Sequence, residues 1–355
     1  MIATDNIKIS KVATSKISEL DFDNIQFGKT FSDHMFESDY INGQWINSEV
    51  KAYQDLVLNP ATLALHYGQT IFEGMKAYKT VEGKSVMFRP YKNFERFNKS
   101  AERMCMATVP EEVFMGGLHQ LLSLDKAWIP TAPGSSLYLR PFSFATDSFI
   151  GMRASDTYKF MVFACPAGLY YSAPVKVKIE TKYSRAVKGG TGYAKTGGNY
   201  SASMLPNNEA MEAGYQQLIW TDAIEHKYIE ESGTMNVFFV INDVLITAPV
   251  SDTILDGVTR DSVITLAKDL GYVVEERRLS VEELVDAMKS GNLQEAFGAG
   301  TAASISHISE IGYEGKDYML PAVEHREISP KILTALNEIK TGRREDKFDW
   351  LYHID

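Results

Sequence analysis

Apolar and polar residues change their period several times along the chain, and the changes lay out its elements. YINGQWI (40–46) sets two alternating stretches on either side of Asn-Gly, the dipeptide of a tight hairpin. SVMFRP (85–90) reads as a strand. NFERFNKSAERMCMA (93–107) then shifts to helical spacing, with Phe94, Phe97, Ala101 and Met104 on one face. LYLRPFSF (137–144) and TYKFMVFACP (157–166) alternate or run apolar, as strands do.

Glycine, serine and proline cluster at GLYYSAP (168–174) and mark a boundary between domains. Beyond it, NYSASMLPNNEAMEAG (199–214) predicts a helix interrupted near Pro206, and QQLIWTD (216–222) a strand. MNVFFVINDVLITAP (235–249) predicts a hairpin turning at Asn242-Asp243. DGVTRDSVITLAKDLG (256–271) is an amphipathic helix ending at Gly271, and Ser280 opens another through the capping box SVEE. EAFGAGTAASISHI (295–308) reads as strand, glycine turn, strand. The expected organisation is a two-domain α/β or α+β chain: residues 1–170, a linker at 171–178, and a second domain at 179–355.

Composition narrows the function classes. The chain has 355 residues, 45% hydrophobic and 23% charged, enough for two cores. A net charge of −10 disfavours nucleic acid or an anionic membrane surface as partner. The two cysteines, Cys105 and Cys165, lack metal-ligand spacing and point to a reducing cytoplasm without a disulfide framework; both are expected to be buried. The first residues lack a signal peptide's apolar core, and no long apolar run suggests a membrane span. The seven histidines show no ligand pair, so no metal is expected.

The chemistry centres on one lysine, in GYAKTGGNYSASM (192–204). GGTGYAKT (189–196) nearly matches the P-loop G-x-x-x-x-G-K-[ST], but Ala194 stands where the backbone must wrap a phosphate closely. Gly197 and Gly198 would also unravel the helix that a P-loop lysine begins. No G-x-G-x-x-G or G-x-S-x-G is present. What remains is Lys195, two glycine/threonine turns at GVTR (257–260) and GAGTA (298–302), and the pair Glu230-Glu231. A reactive amine, an anion cradle and a carboxylate together suit pyridoxal phosphate. On the residues alone this is one open reading among several.

Seven motifs in order carry a closer likeness: LHYGQTIFEGMKAY, the F-R-P…R helix, SLYLRPF, GYAKTGGNYSASM, EESGTMN, LDGVTR and GAGTAAS. From FGKTFSDHM (27–35) to GRREDKFDW (342–350) the chain resembles the branched-chain amino-acid aminotransferases of the larger animal and bacterial branch. EGMKAY and SLYLRPF argue against two relatives, the D-amino-acid aminotransferases and the aminodeoxychorismate lyases. The resemblance implies the fold-type IV architecture, a smaller N-terminal α/β domain and a larger pseudo-barrel domain carrying the cofactor lysine. It implies a cytoplasmic homodimer that moves amino groups between leucine, isoleucine or valine and 2-oxoglutarate.

Carried over by position, Lys195 is the cofactor's Schiff-base anchor and the proton-transfer base. Tyr200 meets the cofactor's phenolic oxygen and Glu231 its pyridine nitrogen, with Glu230 an uninvolved neighbour. Arg96, Val258, Thr259 and Thr301 form the phosphate cradle. Phe27, Tyr67, Phe72, Tyr138, Tyr170, Thr234 and Ala302 line the substrate pocket, and Arg140 receives the side-chain carboxylate of glutamate. One departure stands out: Ala303 and Ser306 occupy the places where the animal enzymes carry a C-x-x-C redox pair, so thiol-based control is not expected.

Overall fold

A computed structural model describes residues 6–168 and 173–354. The chain forms two compact units, Met1–Tyr170 with Ala194–Gly197 and Glu338–Asp355, and Tyr171–Tyr193 with Gly198–Asn337. A single cut with the lysine on its C-terminal side does not describe this. The lysine segment joins the first unit because its backbone pairs there: Thr196 bridges Ile71, and the Phe72 N–H donates to the Lys195 carbonyl at 3.0 Å. Val175–Lys178, expected within a linker, already belong to a strand.

In the first unit, β1 (Lys8–Ile9), β2 (His34–Ile41), β3 (Gln44–Ala52), β4 (Thr70–Phe72), β5 (Met75–Lys79), β6 (Ser85–Phe88), β7 (Ser136–Ala145), β8 (Tyr158–Ala167) and β18 (Leu351–Ile354) make one sheet. Its order is β1-β3-β2-β8-β7-β5-β6-β18, with β4 added to β7. The hairpin between β2 and β3 turns at Asn42-Gly43, both at positive φ, as that dipeptide allows. α1 (Leu63–Tyr67) is a single short turn, while α2 (Pro90–Arg103) and α3 (Glu111–Asp125) pack on the sheet. Phe97 of α2 and Phe114 of α3 each stand 5.4 Å from the Phe160 ring, centroid to centroid, at the centre of this core.

α2 starts three residues earlier than its pattern suggests, because Pro90 fits a helix's first position, where no N–H is needed. It also buries a partly polar stripe, Asn93, Arg96 and Ser100 beside Phe97 and Ala101, whereas Phe94 and Met104 are only half-buried. That polar stripe serves the site described below.

In the second unit, β9 (Val175–Glu180), β10 (Gln217–Thr221), β11 (Ile229–Ser232), β12 (Met235–Ile241), β15 (Leu293–Gly300) and β16 (Ser304–Tyr313) close into a six-stranded barrel. The order is β11-β10-β9-β16-β15-β12, and a β11–β12 pairing completes the ring. β13 (Val244–Thr247) and β14 (Val273–Glu276) extend it from β12, and β17 (Lys316–Met319) pairs with β16. Alternate residues of the barrel strands, such as Val177, Val237 and Ala296, share a core with the apolar stripe of α7 (Val281–Ser290). Ser280 caps α7 by accepting the Glu283 N–H at 3.0 Å, as the capping box predicts.

Two local expectations shift. The helical run after the lysine breaks at Ala202-Ser203, into α4 (Gly197–Ser201) and α5 (Met204–Glu212), not at Pro206. Pro206 lies in the first turn of α5, where its missing donor costs nothing. The glycines of GAGTA are strand, not turn: a Cβ on Gly298 or Gly300 would come 2.7 and 2.9 Å from the Met235 side chain. The turn falls at Thr301–Ala303. Cys165 is buried, but Cys105 is exposed and sits at positive φ just beyond α2.

Candidate active site

The first unit brings together five of the predicted residues through Phe72. The Lys195 Nζ stands 4.8 Å from the Phe72 ring centroid, and the Arg140 guanidinium carbon 4.7 Å from the same ring. Arg140 donates from Nη2 to the Tyr138 hydroxyl at 2.9 Å, and Phe27 meets the Tyr138 ring edge-on at 5.2 Å. The Arg140 Nε is buried and has no hydrogen-bond partner. A planar cation with an unmet donor amid aromatic rings is ready for a carboxylate. Strand alternation sets this geometry, since Tyr138 and Arg140 are two apart on β7 and share a face. Gly74 leaves room for it, because a Cβ there would clash with the Tyr138 hydroxyl. Tyr67 ends α1, 43% exposed, and Tyr170 lies outside the described residues.

Lys195 is held in place through its backbone. Its N–H donates to Ser100 Oγ at 2.9 Å, its carbonyl accepts from Phe72, and Thr196 donates to the Thr70 carbonyl at 2.7 Å. One turn before Ser100 on α2, Arg96 donates to Glu73 from Nε at 2.7 Å and Nη2 at 2.8 Å. Asn93 adds a bond to Glu73 Oε2 at 2.8 Å, which explains the buried polar stripe of α2. Burial alone would raise the Glu73 carboxyl. The charge and hydrogen bonds of Arg96, with Lys195 and Asn93, outweigh it and hold Glu73 below the usual glutamate value. Glu73 was missed as a site residue; the sequence signal was an acid in the middle of the apolar run IFEGM.

In the second unit Glu231 lies in one cross-strand row of the barrel. Register pairs Glu231 with Asn236 and Asn236 with Ala299, so three neighbouring strands share the row. Glu231 Oε1 accepts the Leu255 N–H at 2.9 Å and the Asn236 side-chain amide at 3.2 Å. Arg185, also absent from the sequence prediction, stands with Nε 2.9 Å from Glu231 Oε2. It is an ion pair without hydrogen-bond alignment, since that Nε has no aligned acceptor. Arg185 is anchored through Nη2 to the Thr253 and Gly192 carbonyls.

The same bonds tie the carboxylate to an anion site. Leu255 lies three residues before Val258, where α6 (Val258–Asp269) begins with Thr259 buried in its first turn. Gly257 precedes it, and a Cβ there would clash with Asn236 Oδ1. The twelve-residue helix offers first-turn N–H groups and a positive dipole end. The same β12–β15 register sets the Gly233-Thr234 turn beside the Thr301–Ala303 turn, and Thr234 is exposed. Tyr200 lies on α4, and the lysine loop is clasped at its base, where Thr191 and Asn199 exchange bonds of 2.7 and 2.8 Å.

This donor set fits pyridoxal phosphate. A carboxylate locked by an arginine, an amide and a backbone N–H suits the cofactor's ring nitrogen, and a helix N-terminus held in register with it suits a phosphate. Residues 70–311 match the model of the amino-transferase class IV family, and the chain belongs to that family of pyridoxal-phosphate enzymes, which act on amino acids and 2-oxo acids. Branched-chain-amino-acid aminotransferase 2 of Bacillus subtilis is 44% identical, over 98% of this chain and 97% of its own length. The branched-chain-amino-acid aminotransferase of Mycolicibacterium smegmatis is 41% identical over 97% of this chain and 96% of its own. Among solved structures, the branched-chain aminotransferase of Thermoproteus uzoniensis with norvaline superposes with a TM-score of 0.74 at 26% identity, covering 90% of this chain and 100% of that one. The T.th. branched-chain amino acid aminotransferase complexed with N-(5'-phosphopyridoxyl)-L-glutamate gives 0.71 at 27%, covering 90% and 98%. Among the described residues, no helix is long and apolar enough to cross a membrane.

Proposed function

We propose that the chain transfers amino groups reversibly between L-leucine, L-isoleucine or L-valine and 2-oxoglutarate. The observation that carries this is the shared ring of Phe72, with an amine on it at Lys195 and a guanidinium at Arg140. An isobutyl group and a γ-carboxylate must use one pocket. Phe27, Phe72, Tyr138, Tyr67, Tyr170, Thr234 and Ala302 supply its walls, and Arg140 with its unmet Nε receives the carboxylate.

Bound pyridoxal phosphate supplies the electron sink that stabilises negative charge at the substrate's α-carbon. The chain's own residues do the rest. Lys195 holds the cofactor through Nζ and, once released, takes the α-proton on that nitrogen. A positioned base of this kind contributes on the order of 10²–10⁴ in rate. Glu231 keeps a proton on the ring nitrogen, braced by Arg185 and Asn236. Tyr200 donates to the phenolic oxygen. Val258, Thr259 and Thr301 hold the phosphate, with Arg96, whose guanidinium plane Glu73 fixes through two donors.

A homodimer in the cytoplasm completes the proposal. Its support is an exposed apolar patch in the first unit, Val57 at 99%, Leu65 at 61%, Ile150 at 59% and Met152 at 93% exposure. The Phe149 N–H bonds the Ala61 carbonyl, which brings those two chain stretches side by side. Assay of L-leucine and of D-alanine with 2-oxoglutarate tests the reaction. Turnover of leucine alone is expected, and turnover of D-alanine alone would overturn the proposal.

A further inference from the structure

Adjacent residues of a strand face opposite ways, so Glu230 points away from the row that holds Glu231. It faces a cavity of about 440 Å³ that lies wholly within the second unit. Glu230 is only 8% exposed, and its Oε1 accepts the Thr253 hydroxyl at 2.6 Å. Its Oε2 is buried with no hydrogen-bond partner. Leaving a buried carboxylate oxygen unmet costs free energy unless something supplies a donor. Burial raises the Glu230 carboxyl above its usual value. The floor beside it is apolar, formed by Ala248 and Ile254. At the exposed rim stand Lys188 and Arg278, the latter with its guanidinium carbon 3.5 Å above the Tyr228 ring.

We propose that this cavity is a second binding site for an α-amino acid with an apolar side chain. Its ammonium meets Glu230 Oε2, its side chain covers Ala248 and Ile254, and its carboxylate turns to Arg278 and Lys188. The other carboxylates of the cavity do not compete for the ammonium on equal terms. Asp222 already accepts four backbone N–H groups, and Asp252 lies at the exposed edge with a bond from the Gly189 N–H. The site has a route to the active centre. Thr253, bonded to Glu230 through its hydroxyl, accepts Arg185 through its carbonyl, and Arg185 pairs with Glu231. An occupant that moves Thr253 therefore acts on the carboxylate assigned to the cofactor's ring nitrogen. This coupling rests on that assignment; the binding site itself does not.

Holoenzyme reduced with borohydride, so that no amino acid can react at Lys195, isolates the second site. Titration calorimetry with L-leucine should show one saturable event per chain. Glu230→Gln, which keeps the shape and removes the charge, should weaken it by at least about tenfold, the scale of a charge-assisted hydrogen bond. Arg278→Ala, a change at an exposed side chain, should weaken leucine but leave isopentylamine, which lacks the carboxylate, unaffected. Isopentylamine binding should depend on Glu230, and 4-methylpentanoate should not bind. No heat with L-leucine on fully reduced enzyme, or equal binding by wild type and Glu230→Gln, overturns the site. Failure of borohydride to fix any cofactor would instead count against the aminotransferase chemistry.

Discussion

Arg96 and Glu73 form a buried two-bond pair, Nε to Oε1 at 2.7 Å and Nη2 to Oε2 at 2.8 Å. It stands one turn from the serine that holds the Lys195 backbone. Removing one charge strands the other in the interior, at a cost of about 3–5 kcal/mol. Glu73→Gln is expected to lose roughly that much stability in denaturant titration. The pH dependence follows from the lowered Glu73 carboxyl. A group whose folded pKa is depressed adds stability above its unfolded value, near 4.5, and loses it as pH falls through the folded one. Wild-type stability should therefore decline on acidification below that point, and Glu73→Gln should decline less steeply.

In the proposed function Arg140 meets a side-chain carboxylate only with the dicarboxylic partner. Arg140→Ala should lower kcat/KM for glutamate by about ten- to a hundredfold more than for leucine, the scale of a charged hydrogen bond. Equal losses for both substrates would remove Arg140 from this role.

Gly257 leaves space for Asn236 Oδ1, with which a Cβ would clash. In Gly257→Ala the amide must swing away from Glu231 and the Leu255 carbonyl, to which it donates. The expected result is weaker cofactor binding, by about tenfold or more for the two lost hydrogen bonds, read from visible absorbance as apoenzyme is titrated with pyridoxal phosphate. An unchanged affinity would show that Asn236 does not brace the ring-nitrogen carboxylate.

Met152 and Val57 are almost fully exposed. A charge at Met152, as in Met152→Asp, should shift a dimer towards monomer in sedimentation velocity while leaving the monomer folded. No change in mass would move the interface elsewhere.

The sequence shows this fold unevenly. The hairpin at Asn42-Gly43 and the Ser280 cap are written in local turn and cap chemistry, and the strands β7 and β8 in their apolar pattern. What it hides is long-range pairing. Nothing local says that Thr196 bridges Ile71, or that residues after Glu338 return to β6, so a single domain cut is the natural error. The site divides in the same way. Lys195 and Glu231 stand in motifs, but Glu73 and Arg185 act through partners 23 residues or more away, Arg96 and Glu231, and only the folded chain brings these pairs together. The GAGTA glycines mislead because their role is to admit Met235 beside a strand, not to bend one.

The central claim is that Lys195 both anchors the cofactor and carries the proton. It has physical competitors in the same unit: burial lowers the Lys76 amine to about 8 and the Lys340 amine to about 7, values suited to a nucleophile. Borohydride reduction of the holoenzyme, followed by peptide mass spectrometry, decides among them. The cofactor's added mass is expected on the peptide containing Lys195 and on no other. Added mass on Lys76 or Lys340, or none at Lys195, would contradict it.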